Sequence, residues 1–173
     1  NGLKELETVC WVLDICNAKV NDSCGFHVHM DAAGFNLDTW KNLTLTYKHL
    51  EHLIDAFMPR TRRNNTYCKT LSGVSDERIK SVRTIDGLRE VFNNDRYHKV
   101  NFEAYSRHRT VEFRQHSGTT NFTKMENWIR FLNGLITFAK RSSLPSRMTL
   151  EELPFLDGKQ KLFFKLRTKK LAV

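Results

Sequence analysis

Apolar positions along the chain follow two rhythms, one of three and four residues and one of two, and each marks an element. Leu3, Leu6, Cys10, Leu13 and Cys16, with Val9 and Trp11 widening the stripe, predict an amphipathic helix over residues 3–17. Asn21, Asp22 and Ser23 are turn formers. The stretch CGFHVHMD, residues 24–31, then alternates. Successive strand side chains point to opposite faces, so Phe26, Val28 and Met30 share one and His27, His29 and Asp31 the other. Trp40, Leu43, Tyr47, Leu50, Ile54 and Phe57 predict a second helix, capped by Asp38 and ended by Pro59. Residues 71–81 are polar and read as a mobile segment. A short helix over 84–93 would turn Ile85, Leu88, Val91 and Phe92 inward, until Asn93, Asn94 and Asp95 break it.

Alternation returns in residues 97–105, with Val100, Phe102 and Ala104 against Asn101, Glu103 and Tyr105. It returns again in RTVEFRQHSGT, residues 109–119, with Val111 and Phe113 against Thr110, Glu112, Arg114 and His116. The two read as antiparallel neighbours across a turn at 106–108. Thr123 and Glu126 form a capping box for a helix carrying Trp128, Ile129, Leu132, Leu135, Ile136 and Ala139. A linker at 141–147 and a second box, Thr149 with Glu152, precede Leu162, Phe163 and Leu166 among Lys159, Lys161, Lys165, Arg167, Lys169 and Lys170. That tail predicts a basic amphipathic helix lying on the sheet or on a partner.

A chain of 173 residues suffices for one domain with a real core. Its 28 Lys and Arg against 19 Asp and Glu, a formal charge of +9, would attract nucleic acid, nucleotide phosphates or an acidic partner. No apolar run approaches the roughly 18 to 20 residues a bilayer needs, and no signal peptide is visible, so the reading is a soluble, cytoplasmic protein. Cys10, Cys16, Cys24 and Cys68 contain no Cys-x-x-Cys pair, which excludes a zinc ribbon or thioredoxin motif and leaves them reduced. A dinucleotide fingerprint, a P-loop and a Gly-x-Ser-x-Gly elbow are absent too. The sequence opens at Asn1 directly on a helical pattern, the expectation for a processed product or a fragment.

If the strands pair, His27, His29, Glu112, Arg114 and Asn101 face one surface. Imidazole and carboxylate suit a divalent ion and guanidinium suits phosphate oxygens, so the set fits a metal-held polyphosphate. Plainer readings stand beside it. The histidines would hydrogen-bond locally, and Glu112 with Arg114 would be a surface ion pair worth about 0 to 1 kcal/mol. Arg60, Arg62 and Arg63, in the basic loop 59–69, would grip phosphate in paired hydrogen bonds or simply be solvated. His49 and His52 would share a metal or be ordinary helix residues. The lysines of the tail would be solvated surface or a nucleic-acid arm. Gly25 would let the backbone lie close to a neighbour or ligand.

CGFHVHMD after a helix and an Asn-Asp-Ser turn, a helix ending in PRTRRNNTYCK, then RYHKVN, then RTVEFRQHSGT before a Trp-containing helix: in this order the stretches resemble the amidoligase family, a branch of the glutamine synthetase and glutamate-cysteine ligase superfamily of carboxylate-amine ligases. The resemblance runs from residue 1 to about residue 141 and does not cover 142–173, a linker and basic helical extension. It implies an α+β fold, a curved antiparallel sheet forming an incomplete cup with helices on its outer face. It also implies ATP with Mg²⁺ or Mn²⁺ inside the cup, and a small-molecule or peptide carboxylate joined to an amine through an acyl phosphate.

By the same resemblance Glu112 is expected as a metal ligand, His27 as a metal ligand or a neighbour of the γ-phosphate, and His29 as a phosphate contact. Arg109, Arg60, Arg62 and Arg63 would hold ATP phosphates and Arg114 the carboxylate or acyl phosphate, with Asn101, on the cofactor, and His116 as further candidates. The family begins with a Glu-x-Glu strand and a further acidic strand, which this sequence lacks. Glu5 and Glu7 have that spacing, but on a helix, where residues two apart diverge. Half the metal ligands are therefore expected to be missing from this chain and to lie on a separate or cleaved segment, unless the chain is a fragment or a non-catalytic remnant; the missing segment or a homo-oligomer is the expected protein partner. The competing reading is a non-catalytic basic scaffold that binds nucleic acid or an acidic protein.

Overall fold

A computed structural model describes residues 2–172. Its frame is a three-stranded antiparallel sheet in the order β1 (Gly25–Asp31), β3 (Thr110–Ser117), β2 (Val100–Asn101). Around it stand α1 (Gly2–Ile15), α2 (Leu37–Ala56), α3 (Asp76–Ser81), α4 (Ile85–Val91), α5 (Ala104–His108), α6 (Phe122–Ala139) and α7 (Gly158–Leu171), with a 3-10 turn at Arg60–Arg62. The fold is α+β, and α2 and α6 cover one face of the sheet. Tyr47 of α2 lies on Phe113, and Trp128 of α6 lies on His116. Trp40, Leu43, Leu50, Ile54, Leu132 and Leu135 complete this core, each with almost no exposure. No helix among the described residues is long and apolar enough to cross a membrane.

Helix α2 forms where its apolar spacing predicts, and β1 covers nearly the predicted stretch. The starts of the helices differ. Asn36, not Asp38, caps α2 by accepting from the Thr39 amide at 2.8 Å, and Asn121, not Thr123, caps α6 by accepting from Lys124 at 3.0 Å. Glu126 is thereby free to bind Arg130. Thr149 does meet Glu152, but the pair closes a turn. Helix α7 begins later, on a capping box of Asp157 and Gln160.

Three stretches depart further. Residues 71–81 hold α3, with Leu71 and Ile79 fully buried, because Asp76 is bound by Lys48 and His49 of α2. The predicted strand 97–105 is a strand only at Val100–Asn101. Phe102 then stacks on Phe92 of α4 at 5.0 Å, Glu103 is bound by Arg89, and the chain coils into α5. In α7 the buried apolar residue is Phe164, 4.4 Å from Phe57 and 5.5 Å from Phe131, with Gln160 buried one turn earlier, while Leu162 and Leu166 are exposed. Helix α1 seats only Cys10 fully, against Met125, and leaves Val9, Trp11, Val12 and Ile15 open.

A bulge bends the sheet. Phe26 pairs with His116 and Val28 with Phe113, so both Arg114 and Gln115 lie opposite His27. One strand has gained a residue, which breaks the alternation beyond it. Arg114 points to the open face. Gln115 and His116 both turn to the helices, Gln115 to accept from the Tyr47 hydroxyl at 2.7 Å and to donate to Asp55.

Candidate functional site

The register lays the site out in two rows. His29 pairs with Glu112, and Glu112 with Asn101, so these three cross the sheet side by side, with His27 and Arg114 in the next row. All five side chains stand on the face that α2 and α6 leave open. Glu112 is the hub. Its Oε1 meets His27 Nδ1 at 3.0 Å, His29 Nε2 at 3.8 Å and Arg114 Nη1 at 2.9 Å, and its Oε2 accepts from Asn101 Nδ2 at 2.5 Å.

Burial would raise the Glu112 carboxyl above its ordinary value. The hydrogen bonds from His27 and Asn101 and the Arg114 charge outweigh that and hold it down at about 2. It is a carboxylate at neutral pH. The other members are positioned around it. His29 Nδ1 lies 2.8 Å from the Thr110 hydroxyl, Asn101 Oδ1 accepts from the Glu103 amide, and Arg114 donates to the Tyr67 carbonyl at 3.2 Å with its cation over the Tyr97 ring. Gly25 matters here, since a Cβ on it would sit 2.8 Å from His27 Nε2 and 3.0 Å from Arg62 Nη2. The close neighbour that its sequence position anticipates is therefore the site itself.

The remaining predicted residues have other places. His116 shares the core face with Phe26 and packs on Trp128. Burial, with the charges of Arg167, Lys124 and Arg62, lowers it to about 4 despite its bond to the Ser117 carbonyl. Arg62 is buried and donates to the carbonyls of Gln115 and Arg114, the two residues that crowd the bulge. Arg63 donates to the Met58 carbonyl at 3.0 Å and reaches that of Leu171 at 3.5 Å. Arg60 is exposed on the 3-10 turn. Arg109 ends α5 with φ 56° and lays its guanidinium over the Tyr105 ring. His49 spends its nitrogens on Leu144 O and Asp76, each at 2.6 Å, and His52 faces Met148 O, so the two do not share an ion.

A polar hollow of about 320 Å³ opens over the rows, lined by His29, Asn101, Glu112 and Arg114 and also by Glu103, Asn94, Arg96, Arg107 and His108. The last four escaped the sequence reading. Arg96 was visible in RYHKVN, whereas Arg107 and His108 look like turn residues until α5 is known. A larger cleft of about 460 Å³ lies on the helical side, between the end of α2 and α7. Its lining is mostly apolar, and the hollow over the rows is the candidate site because it holds the Glu112 cluster.

Among the described residues no three His, Cys, Asp or Glu side chains gather as a metal cage. One ionised carboxylate beside two imidazoles fits a divalent cation as part of a shell, whose remaining positions would fall to water, phosphate oxygens or other carboxylates. No curated protein and no solved structure matches the chain. The family model described as "putative amidoligase enzyme" matches residues 1–136, which contain all three strands and every residue of the two rows. The chain belongs to the amidoligase family.

Proposed function

We propose that this face is part of the active site of an ATP- and Mg²⁺- or Mn²⁺-dependent carboxylate-amine ligase of the glutamine synthetase and glutamate-cysteine ligase superfamily. The observation that carries the reading is the convergence of His27, His29, Asn101 and Arg114 on one ionised carboxylate, Glu112, at the floor of an open polar hollow. Glu112 and His27 would hold the cation, with His29 beside it. Bound there, ATP and the ion would supply a phosphoryl group that turns a carboxylate into an acyl phosphate, from which an amine displaces inorganic phosphate to leave the amide. Arg114, tied to Glu112 and Tyr67 O, is a fixed cation that orients the substrate carboxylate and steadies the negative charge that develops beside it. Asn101 keeps Glu112 aimed.

The test is amine-dependent ADP release by the intact protein over a panel of carboxylates. His27→Ala and Glu112→Ala should each lower turnover by about 100-fold, the scale of losing a charge-stabilising group. Undiminished turnover in both would refute the roles.

The second reading, a basic binding scaffold, draws on α7, whose Lys159, Lys165, Lys169 and Lys170 are exposed. It requires affinity for nucleic acid or an acidic protein that falls steeply with salt and ignores His27 and His29.

A further inference from the structure

The charges around the Glu112 hollow do not balance. Its two carboxylates are already matched: Glu103 accepts from Arg89 Nε at 2.9 Å and Nη2 at 2.5 Å, and Glu112 from Arg114 at 2.9 Å. Two further arginines line the same space, Arg96 and Arg107. Among the described residues neither forms an ion pair, and the hydrogen-bond partner of Arg96, the Tyr97 hydroxyl at 2.8 Å, is neutral. Both are exposed, Arg107 on α5 and Arg96 just after the Asn93–Asn94 turn. Glu112 also acts on Arg96 across the hollow, but it is already paired with Arg114, so the guanidiniums of Arg96, Arg107 and Arg114 outnumber the one carboxylate they share, and an anion between Arg96 and Arg107 relieves the remaining repulsion.

We propose that Arg96 and Arg107 form an anion clamp at the mouth of the Glu112 hollow, for a group that carries two negative charges on several oxygens. Guanidinium forks match such oxygens in paired hydrogen bonds. The clamp takes over the role that sequence reasoning gives to the 59–69 loop, where Arg62 and Arg63 are committed to backbone carbonyls. The claim that an anion binds rests on the excess of guanidinium over carboxylate around the hollow. Which anion it is, a nucleotide phosphate or an acidic substrate, rests on the ligase reading.

The experiment is calorimetric titration of the intact protein at low salt and without divalent ions, with tripolyphosphate in one arm and glutarate in the other. Wild type is compared with Arg96→Gln/Arg107→Gln. A control, Arg78→Gln/Arg83→Gln, removes the same charge from exposed positions outside the hollow. The clamp variant should weaken binding by at least ~10-fold, the value of a lost charge-assisted hydrogen bond, and the control by less than ~2-fold. The arm that shows the loss identifies the source. Equal weakening in both variants, or no binding of either anion by wild type, overturns the clamp. A clamp loss alongside undiminished turnover in His27→Ala and Glu112→Ala would leave the clamp standing and remove the ligase roles.

Discussion

Replacing Glu112 by Gln keeps the shape of the hub and removes its charge, which makes the pH dependence of the loss its signature. The folded carboxyl sits at about 2 against an ordinary 4.5. At about 1.36 kcal/mol per pH unit this is worth about 3 kcal/mol, and the openness of the hollow to solvent reduces it to about 2. The sign follows from proton binding. The unfolded chain takes up a proton on this group near pH 4.5 and the folded one only near pH 2, so the contribution is complete above 4.5 and disappears as pH falls through 2. Glu112→Gln also leaves the Arg114 cation without its partner. Urea unfolding, followed by the fluorescence of buried Trp40 and Trp128, should show the variant about 2 kcal/mol less stable at pH 7. The gap should narrow by at least ~1 kcal/mol at pH 3, where the unfolded chain has taken up the proton that the folded one still refuses. Asp76 and Asp95, also held below their usual values, titrate in both proteins and cancel in the comparison. A gap of the same size at both pH values would show that Glu112 is not held as a carboxylate by its neighbours.

His116 gives a dependence of the same sign in a higher window: unfolded it gains a proton below 6.5 and folded only near 4, so stability should fall by up to about 3 kcal/mol as pH drops between these values. His116→Phe should flatten that limb of the urea profile, and an unchanged limb would refute its burial in the neutral form. Lys99, 1% exposed and 2.7 Å from Asp55, should cost about 3 to 5 kcal/mol as Lys99→Met in thermal or urea unfolding, with part recovered on adding Asp55→Asn. Gly134→Ala would place a Cβ 2.9 Å from the Phe155 ring and 3.0 Å from its carbonyl oxygen. The overpacking of about 1 to 3 kcal/mol should exceed the roughly 0.5 to 1 kcal/mol that Ala gains in a helix, so a more stable variant would contradict the packing.

The long helices were legible because each buries one continuous face. Trp40, Leu43, Tyr47, Leu50 and Ile54 repeat at helical spacing and all reach the core. The two rows were legible for a similar reason, since His27 and His29 alternate along β1 and Glu112 and Arg114 along β3 as strand geometry demands. His116 was misread because alternation assumes an unbroken ladder, and nothing local in Arg-Gln-His announces an inserted residue. The insertion is held by remote groups, Arg62 on the carbonyls and Tyr47 and Asp55 on Gln115. Helix α5 was hidden because Val100, Phe102 and Ala104 suit a strand and a strand-to-helix junction alike. The basic loop misled because composition does not separate an arginine that faces solvent from one that satisfies interior carbonyls.

The bulge and Arg62 fit as a lock fits its key, although they are distant in the chain. A shortened β3 would leave a guanidinium stranded in the interior with nothing to hold. A shortened 59–69 loop would instead strand two peptide oxygens in the same place. Neither segment tolerates a change of length by itself, so a homologue that trims one is expected to have trimmed the other.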